Sequence, residues 1–381
     1  MSFPVSEYQD RLQRAQRRMG AADLDALLLT TEADIRYFTG FLTRFWESPS
    51  RPWFLILPAA GRPVAVIPAI GAALMARTWI EDIRSWPSPA PGDDGVSLLA
   101  ETLTELLGPK ARVGVPMGPE SHLRMPLADW DRLRALSGLT FTHGARILAD
   151  LRAIKSEAEI ALIRASCAVA DRAFARVPEV AHAGVALSRV FRDFQRLCLE
   201  EGADFVPYLA GAAGPGGYED VISPAGPEPL CPGDVLMLDT GLTQAGYFCD
   251  FDRNFAVGPP GEPVRRGHAA LVEAVQVAAA AARPGQTASG LHRLLTRALG
   301  LHGRPGAGRL GHGLGMQLTE GLSLIAEDHT ELRPGMVLTL EPMIELSPGR
   351  IMVHEENIVI RDGGAEFLSC PASPEIPVLA G

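Results

Sequence analysis

Four acids, Asp239, Asp250, Glu341 and Glu355, stand in pairs around two turns of this chain. In "GDVLMLDTGLTQAGYFCDFDRNFAVG", the midpoint between Asp239 and Asp250 falls between Gln244 and Ala245. With those two residues at a hairpin tip, the aspartates face each other, and facing residues on paired strands have Cβ atoms about 4.5–5.5 Å apart. In "GMVLTLEPMIELSPGRIMVHEENIVI", the midpoint between Glu341 and Glu355 falls on Pro348. The flanking runs "VLTL" and "IVI" are apolar, so these glutamates should point into a largely buried centre, where a carboxylate needs a partner or a metal. Facing carboxylates repel, and a bound cation reverses the sign of that interaction. His312 lies in "GHGLGMQLTEG", a glycine loop without side chains to obstruct the ring. Four acids and one imidazole can cage two divalent cations, whose charge balances about -4. Oxygen-rich ligation with one nitrogen suits Mn, Fe or Co at least as well as Zn. Spacing alone leaves the alternative open that the acids are solvated turn residues and His312 an ordinary loop histidine.

These residues need a scaffold. Residues 7–20 read as an amphipathic helix, "LDALLLT" as a buried strand, and "RPWFLILPAAGRPVAVIPA" as two strands joined by an Ala-Gly turn. The helix–strand alternation runs to about residue 145 and predicts an α/β domain over residues 1–150. In "LRAIKSEAEIALIRASCAVADRAF", Ser156 and Glu159 form an S-x-x-E capping box, so a long helix should start near 157. A second helix is expected over 186–201, then a turn in the glycine-rich "GAAGPGGYED". Ala-rich helices follow over roughly 263–282 and 287–300. A helix pair followed by a hairpin thus occurs twice in residues 151–381, a repeat of architecture without a repeat of sequence. The fold class expected is α+β in two domains.

The chain's 381 residues suit two domains. A net charge of -10 argues against nucleic acid as a partner, since a phosphate backbone needs clustered Lys and Arg. Cys167, Cys198, Cys231, Cys249 and Cys370 are scattered, with no C-x-x-C pair, which favours a reducing, cytoplasmic setting without disulfides or a cysteine–zinc site. The polar start "MSFPVSEYQDRLQRAQRR" is no signal peptide, and no apolar run is long enough for a membrane span.

Taken in order, "DIRYFTGF", "LRAIKSEAEI", "DTGLTQAGYFCDFDR", "GHGLG", "GMVLTLEP" and "HEENIVI" resemble the motifs of the pita-bread metallohydrolases, the family of Xaa-Pro aminopeptidase, prolidase and creatinase. The resemblance covers nearly the whole chain. It implies a creatinase-like N-terminal domain, a pita-bread catalytic domain, and metal ligation by Asp239, Asp250, His312, Glu341 and Glu355. It further implies a water shared by two metals, Glu341 as both ligand and proton shuttle, and a homodimer. The substrate expected is a short peptide or another small molecule.

The chain also departs from the pattern. Positions where proline-specific members carry extra histidines hold Thr319, Gly308 and, in an ungapped alignment, Ile222; the usual arginine before the last ligand is Val353. Threonine hydrogen-bonds but transfers no proton near neutral pH. Three readings follow: an Xaa-Pro exopeptidase; a hydrolase or lyase on a small zwitterion such as ectoine or dimethylsulfoniopropionate; and a non-catalytic binding protein, disfavoured because every ligand type is kept. Glu320 is a candidate contact to substrate or to a metal-held water, or else a structural acid. Asp252 shares a face with Asp250 and supports the site or pairs with Arg253 or Arg51; His354 should point to the opposite face. Arg44 and Trp46, in "TRFWESPSRPW", are candidates for reading a charged substrate.

Overall fold

The computed structural model describes residues 2–47, 51–300 and 308–381. Its contacts divide the chain into Met1–Arg152 and Ala153–Gly381.

The first unit is a mixed six-stranded sheet with helices. Its strands run, in spatial order, Asp82–Trp86, Val64–Pro68, Phe54–Pro58, Ala26–Leu29, Arg112–Val115 and Thr140–His143. Strand Phe54–Pro58 is antiparallel to its neighbours Ala26–Leu29 and Val64–Pro68, and all three are buried at every residue, as continuous apolar runs covered on both faces should be. Helix Val96–Leu107 lays Leu99, Ala100 and Leu103 against Leu28, Ile56 and Val66. Arg44 and Trp46 belong to this unit. Trp46 lies in the short 3-10 turn Phe45–Glu47, its ring 5.5 Å from that of Trp53 and 5.2 Å from the Arg124 guanidinium. Ser48, Pro49 and Ser50 of the same stretch lie outside the described residues.

The second unit opens with helix Glu157–Ala175, capped reciprocally by Ser156 and Glu159, and helix Leu187–Glu200. These precede a sheet ordered Val378–Leu379, Phe251–Val257, Asp234–Gln244, Phe205–Pro215. Helices Glu262–Ala281 and Ala288–Ala298 then precede a second sheet ordered Gly311–Gly313, Val337–Leu340, Glu356–Arg361, Gly364–Phe367. Val275, Ala278, Leu291 and Leu295 of that helix pair pack on Leu338, Leu340, Ile358 and Ile360. A helix pair followed by a mainly antiparallel sheet therefore occurs twice, and the fold is α+β. Among the described residues no helix is long and apolar enough to cross a membrane.

Three local expectations need correction. The first hairpin turns at Ala245–Gly246, one residue later than expected, because both residues take positive φ (47° and 79°), the backbone that a two-residue hairpin turn requires. The register shifts with it, so Asp239 pairs with Asp252 and Asp250 stands just before strand Phe251–Val257. His312 is not in a loop. It is the middle of strand Gly311–Gly313, paired with Thr339. Gly311 has φ 145°, and a Cβ there would meet the Thr339 carbonyl at 2.3 Å, so the glycine serves close packing rather than looseness. Finally, the first half of "GAAGPGGYED" is strand: Gly211 and Gly214 pair with Leu238 and Val235.

Candidate metal centre

Each sheet of the second unit delivers two acids to one place. Asp239 lies within strand Asp234–Gln244, and Asp250 lies just before the neighbouring strand Phe251–Val257. Glu341 and Glu355 lie in the gap between two ladders: Leu340 pairs with Glu356 on one side and Met343 with Val353 on the other, so the same register sets the two glutamates opposite each other. Strand Gly311–Gly313 adds His312 from the sheet edge.

The atoms converge. His312 Nε2 is 3.3 Å from Asp250 Oδ2 and 3.6 Å from Glu341 Oε2. One ligand atom each from Asp250, His312 and Glu355 lies within 4.8 Å of the others. His312 Nδ1 is 3.0 Å from the Gly313 carbonyl, which accepts only from Nδ1–H. That tautomer leaves the Nε2 lone pair facing the carboxylates.

The electrostatics are those of a cluster short of positive charge. Burial pushes the Asp239, Asp250 and Glu355 carboxyl pKa values well up, and repulsion among the acids adds to it: Asp250 on Asp239, Glu341 on Asp250, Asp250 on Glu355. Asp239 Oδ1 is buried and has no hydrogen-bond partner among the described residues. Buried carboxylate oxygens are rarely left so, and a divalent cation would satisfy this oxygen and relieve the repulsion together. The donor set, hard oxygens and one imidazole, fits Mn, Fe, Co or Zn.

A second layer holds these groups in place, and sequence reasoning missed most of it. Tyr208 donates its hydroxyl to Asp239 Oδ2 at 3.0 Å. The Thr339 hydroxyl donates to Glu355 Oε1. Asn357 accepts from the Asp250 amide at 2.9 Å and donates to the Asp250 carbonyl, which pins that backbone from both sides. Asp252 Oδ1 accepts from the Glu355 amide at 2.8 Å and pairs with His354 Nδ1 at 3.4 Å. Burial works against a charge on His354, but Asp252 and Glu356 outweigh it and raise its pKa. The sequence signal for this network was only the register, since Tyr208 lies opposite Gly241, two residues from Asp239.

The remaining candidates sit as follows. Glu320 is buried and its Oε1 is 3.0 Å from the Lys155 ammonium, an ion pair buried on both sides. Thr319 is half-buried and makes no side-chain hydrogen bond among the described residues. Gly308 is exposed, and among the described residues nothing lies within 4 Å of a Cβ built there; Ile222 is 81% exposed, and the Val353 amide donates to the Tyr218 hydroxyl at 2.6 Å. Arg309, not anticipated, donates from Nε to Glu341 Oε1 at 3.2 Å.

Comparison with known proteins gives two family matches, metallopeptidase family M24 over residues 161–362 and the creatinase/prolidase N-terminal domain over residues 11–154. The chain is 31% identical over 377 residues to the probable dipeptidase PepE of Mycobacterium tuberculosis, covering 97% of this chain and 96% of that protein. Over 227 residues, covering 58% of this chain and 65% of the other, it is 29% identical to an Xaa-Pro dipeptidase of Pyrococcus furiosus. The crystal structure of dipeptidase PepE from Mycobacterium ulcerans superposes with a TM-score of 0.85 at 28% identity, covering all of both chains. A prolidase structure from Thermococcus sibiricus has the same fold at a TM-score of 0.86, with 23% identity over 98% of this chain and 99% of that one.

Proposed function

This chain belongs to metallopeptidase family M24, and from that premise we propose that it is a dipeptidase using two divalent ions held by Asp239, Asp250, His312, Glu341 and Glu355. The observation that carries the reading is the crowd of buried carboxyls around His312 Nε2, with Asp239 Oδ1 left without a partner among the described residues. Names of the relatives add the substrate class, a dipeptide, with an imide bond to proline as its narrower form.

When bound, the ions supply Lewis acidity toward a water and toward the scissile carbonyl. The chain's own residues do the rest. Glu341, the most accessible of the two glutamates with 22% of its side chain exposed, takes the proton of the attacking water and returns it to the leaving nitrogen. Tyr208 and the Thr339 hydroxyl fix the directions of Asp239 and Glu355, leaving one oxygen of each for ligation. At position 319 a threonine hydroxyl can bind the substrate but cannot serve as a proton donor near neutral pH. Proton transfer therefore rests on Glu341.

The test combines metal content and substrate choice. Purified protein is reconstituted with Mn, Co, Fe or Zn, its bound metal counted by plasma mass spectrometry, and dipeptides with and without proline are assayed beside ectoine and dimethylsulfoniopropionate. The expected result is two ions per chain, turnover of a dipeptide, and loss of both on Asp250→Ala. Turnover of a zwitterion with every dipeptide untouched would sink the peptidase reading. Full activity in Asp250→Ala would sink the metal assignment.

A further inference from the structure

Asp252 is one more buried carboxylate beside the four acids of the centre, and only one of its oxygens is used. The ladder pairs it with Asp239 across antiparallel strands, so the two side chains stand together on one face of the sheet, with Cβ atoms about 4.5–5.5 Å apart. Phe251, between Asp250 and Asp252, turns to the other face, its ring 5.3 Å from that of Phe174. Asp252 is wholly buried. Its Oδ1 is taken: it accepts from the Glu355 amide at 2.8 Å and lies 3.4 Å from His354 Nδ1. Its Oδ2 is buried and has no hydrogen-bond partner among the described residues. Asp239 is in the same condition. Tyr208 occupies its Oδ2, and its Oδ1 is buried without a partner among the described residues. Two facing carboxylates thus each keep one unsatisfied oxygen. After burial and the other acids, the charge of Asp252 adds to the rise of the Asp239 and Asp250 pKa values, so its field reaches the centre.

We propose that Asp252 is a further metal ligand, its Oδ2 joining Asp239 Oδ1 on one of the ions. The inference rests on the reading that the centre holds divalent ions, and it adds Asp252 to the residues named there. Two considerations select a cation for the facing oxygens. The first is cost. A buried carboxylate oxygen without a partner is unfavourable, and two such groups facing each other also repel. A divalent ion bound to both removes the two costs together. The second is the pattern of donors. The groups that reach these carboxyls, the Tyr208 hydroxyl, the Glu355 amide and His354, all go to the other oxygen of each pair. His354 Nε2 lies 3.4 Å from Glu356 Oε1, so the ring is held between two carboxylates and fixes Asp252 by Oδ1 alone. One oxygen fixed by an imidazole and one left over is how a ligating carboxylate is held.

The experiment titrates the full chain, stripped of metal, with Mn alone and reads binding by calorimetry. Asp252→Asn is the informative substitution. It keeps an oxygen that can accept from the Glu355 amide, and its amide group can donate to Asp239 Oδ1. A residue that only positions Glu355, or that shares a proton with Asp239, is therefore replaced with little effect on the ions. A ligand is not. One Mn should bind Asp252→Asn more than about 100-fold more weakly than the unaltered chain, beyond the range for losing a group that merely orients a ligand. A smaller loss overturns the proposal. If Asp252→Asn binds Mn like the unaltered chain while Asp250→Ala loses its ions, the centre stands and Asp252 is no part of it. A second measurement needs no substitution. In crystals of the zinc-loaded chain, with the ions located by anomalous scattering, Asp252 Oδ2 should lie about 2.0–2.2 Å from an ion. An Asp252 carboxylate beyond ligation distance of every ion overturns the proposal as well. If the unaltered chain takes up no divalent ion, the underlying reading falls instead, and this proposal with it.

Discussion

Tyr208 lies far from Asp239 in sequence, yet its hydroxyl sets the direction of that carboxylate. Removing the hydroxyl while keeping the ring, in Tyr208→Phe, should cost about 10–100-fold in metal affinity or activity with little change in fold. Metal titration followed by activity at saturating metal separates the two effects, and an unchanged affinity with unchanged kcat would deny Tyr208 a positioning role. His268 makes a different kind of prediction. It is 2% exposed, its Nε2 is 3.0 Å from the Ser373 carbonyl, and burial, aided by the nearby His354, lowers its pKa to about 4. The folded protein thus keeps this ring neutral where the unfolded chain would protonate it. The stability it contributes is complete above the ordinary histidine value near 6.5 and is lost as pH falls through about 4. The loss is on the order of 3 kcal/mol. Urea midpoints measured across that window should fall less steeply in His268→Gln than in the parent chain; parallel slopes would show that His268 does not govern the acid limb.

At the scale of elements, several contacts hold the segment that carries His312 and Thr319. The strand Gly311–Gly313 pairs with Val337–Leu340, Leu318 sits where a Cβ on Gly241 would clash, and Glu320 pairs with Lys155. Lys155 immediately precedes the capping box of the long helix, so one buried ion pair ties the helix start to the segment that carries Thr319. A buried pair is weak evidence for net stability, but breaking it by removing one partner leaves a buried charge, which costs about 3–5 kcal/mol. Lys155→Met should therefore lower Tm strongly. Lys155→Met with Glu320→Leu should recover most of the loss, and a double-mutant cycle read by thermal unfolding checks this. Full additivity of the two substitutions would mean that the pair does not couple. Neither Lys155–Glu320 nor Tyr208–Asp239 was legible beforehand, because each contact joins residues on separate elements and depends on how those elements pack. What could be read was local. The capping box at Ser156 and Glu159 is a short-range signal and gave the helix start; the acids at two turns are residue types at short spacing. Even there the hairpin tip was missed by one residue, because Ala245 carries no sign of the positive φ it adopts.

For the whole molecule, the acidic centre couples metal binding, pH and stability. Burial and mutual repulsion hold the Asp239, Asp250 and Glu355 carboxyls above their ordinary values in the folded, metal-free chain. The folded state then binds more protons than the unfolded one. The contribution of these carboxyls to the stability of the metal-free protein is complete below about pH 4 and declines as pH rises through the elevated folded values. Divalent ions held there, as proposed, would take the ionised carboxylates and displace those protons, so their stabilising effect would run the opposite way and grow with pH. Ions at 100 times their dissociation constant contribute about 2.7 kcal/mol per site. Thermal unfolding in chelator should thus give a Tm that falls between about pH 5 and pH 8, while saturating Mn should lift Tm by an amount that widens over the same range. Asp250→Asn removes one of the repelling charges, so in chelator its Tm should match or exceed the parent's at pH 8 while its gain from Mn shrinks. A gain from Mn that does not change with pH, or an Asp250→Asn chain less stable than the parent in chelator at pH 8 yet equally stabilised by Mn, would mean that the crowded carboxyls are not where the ions bind.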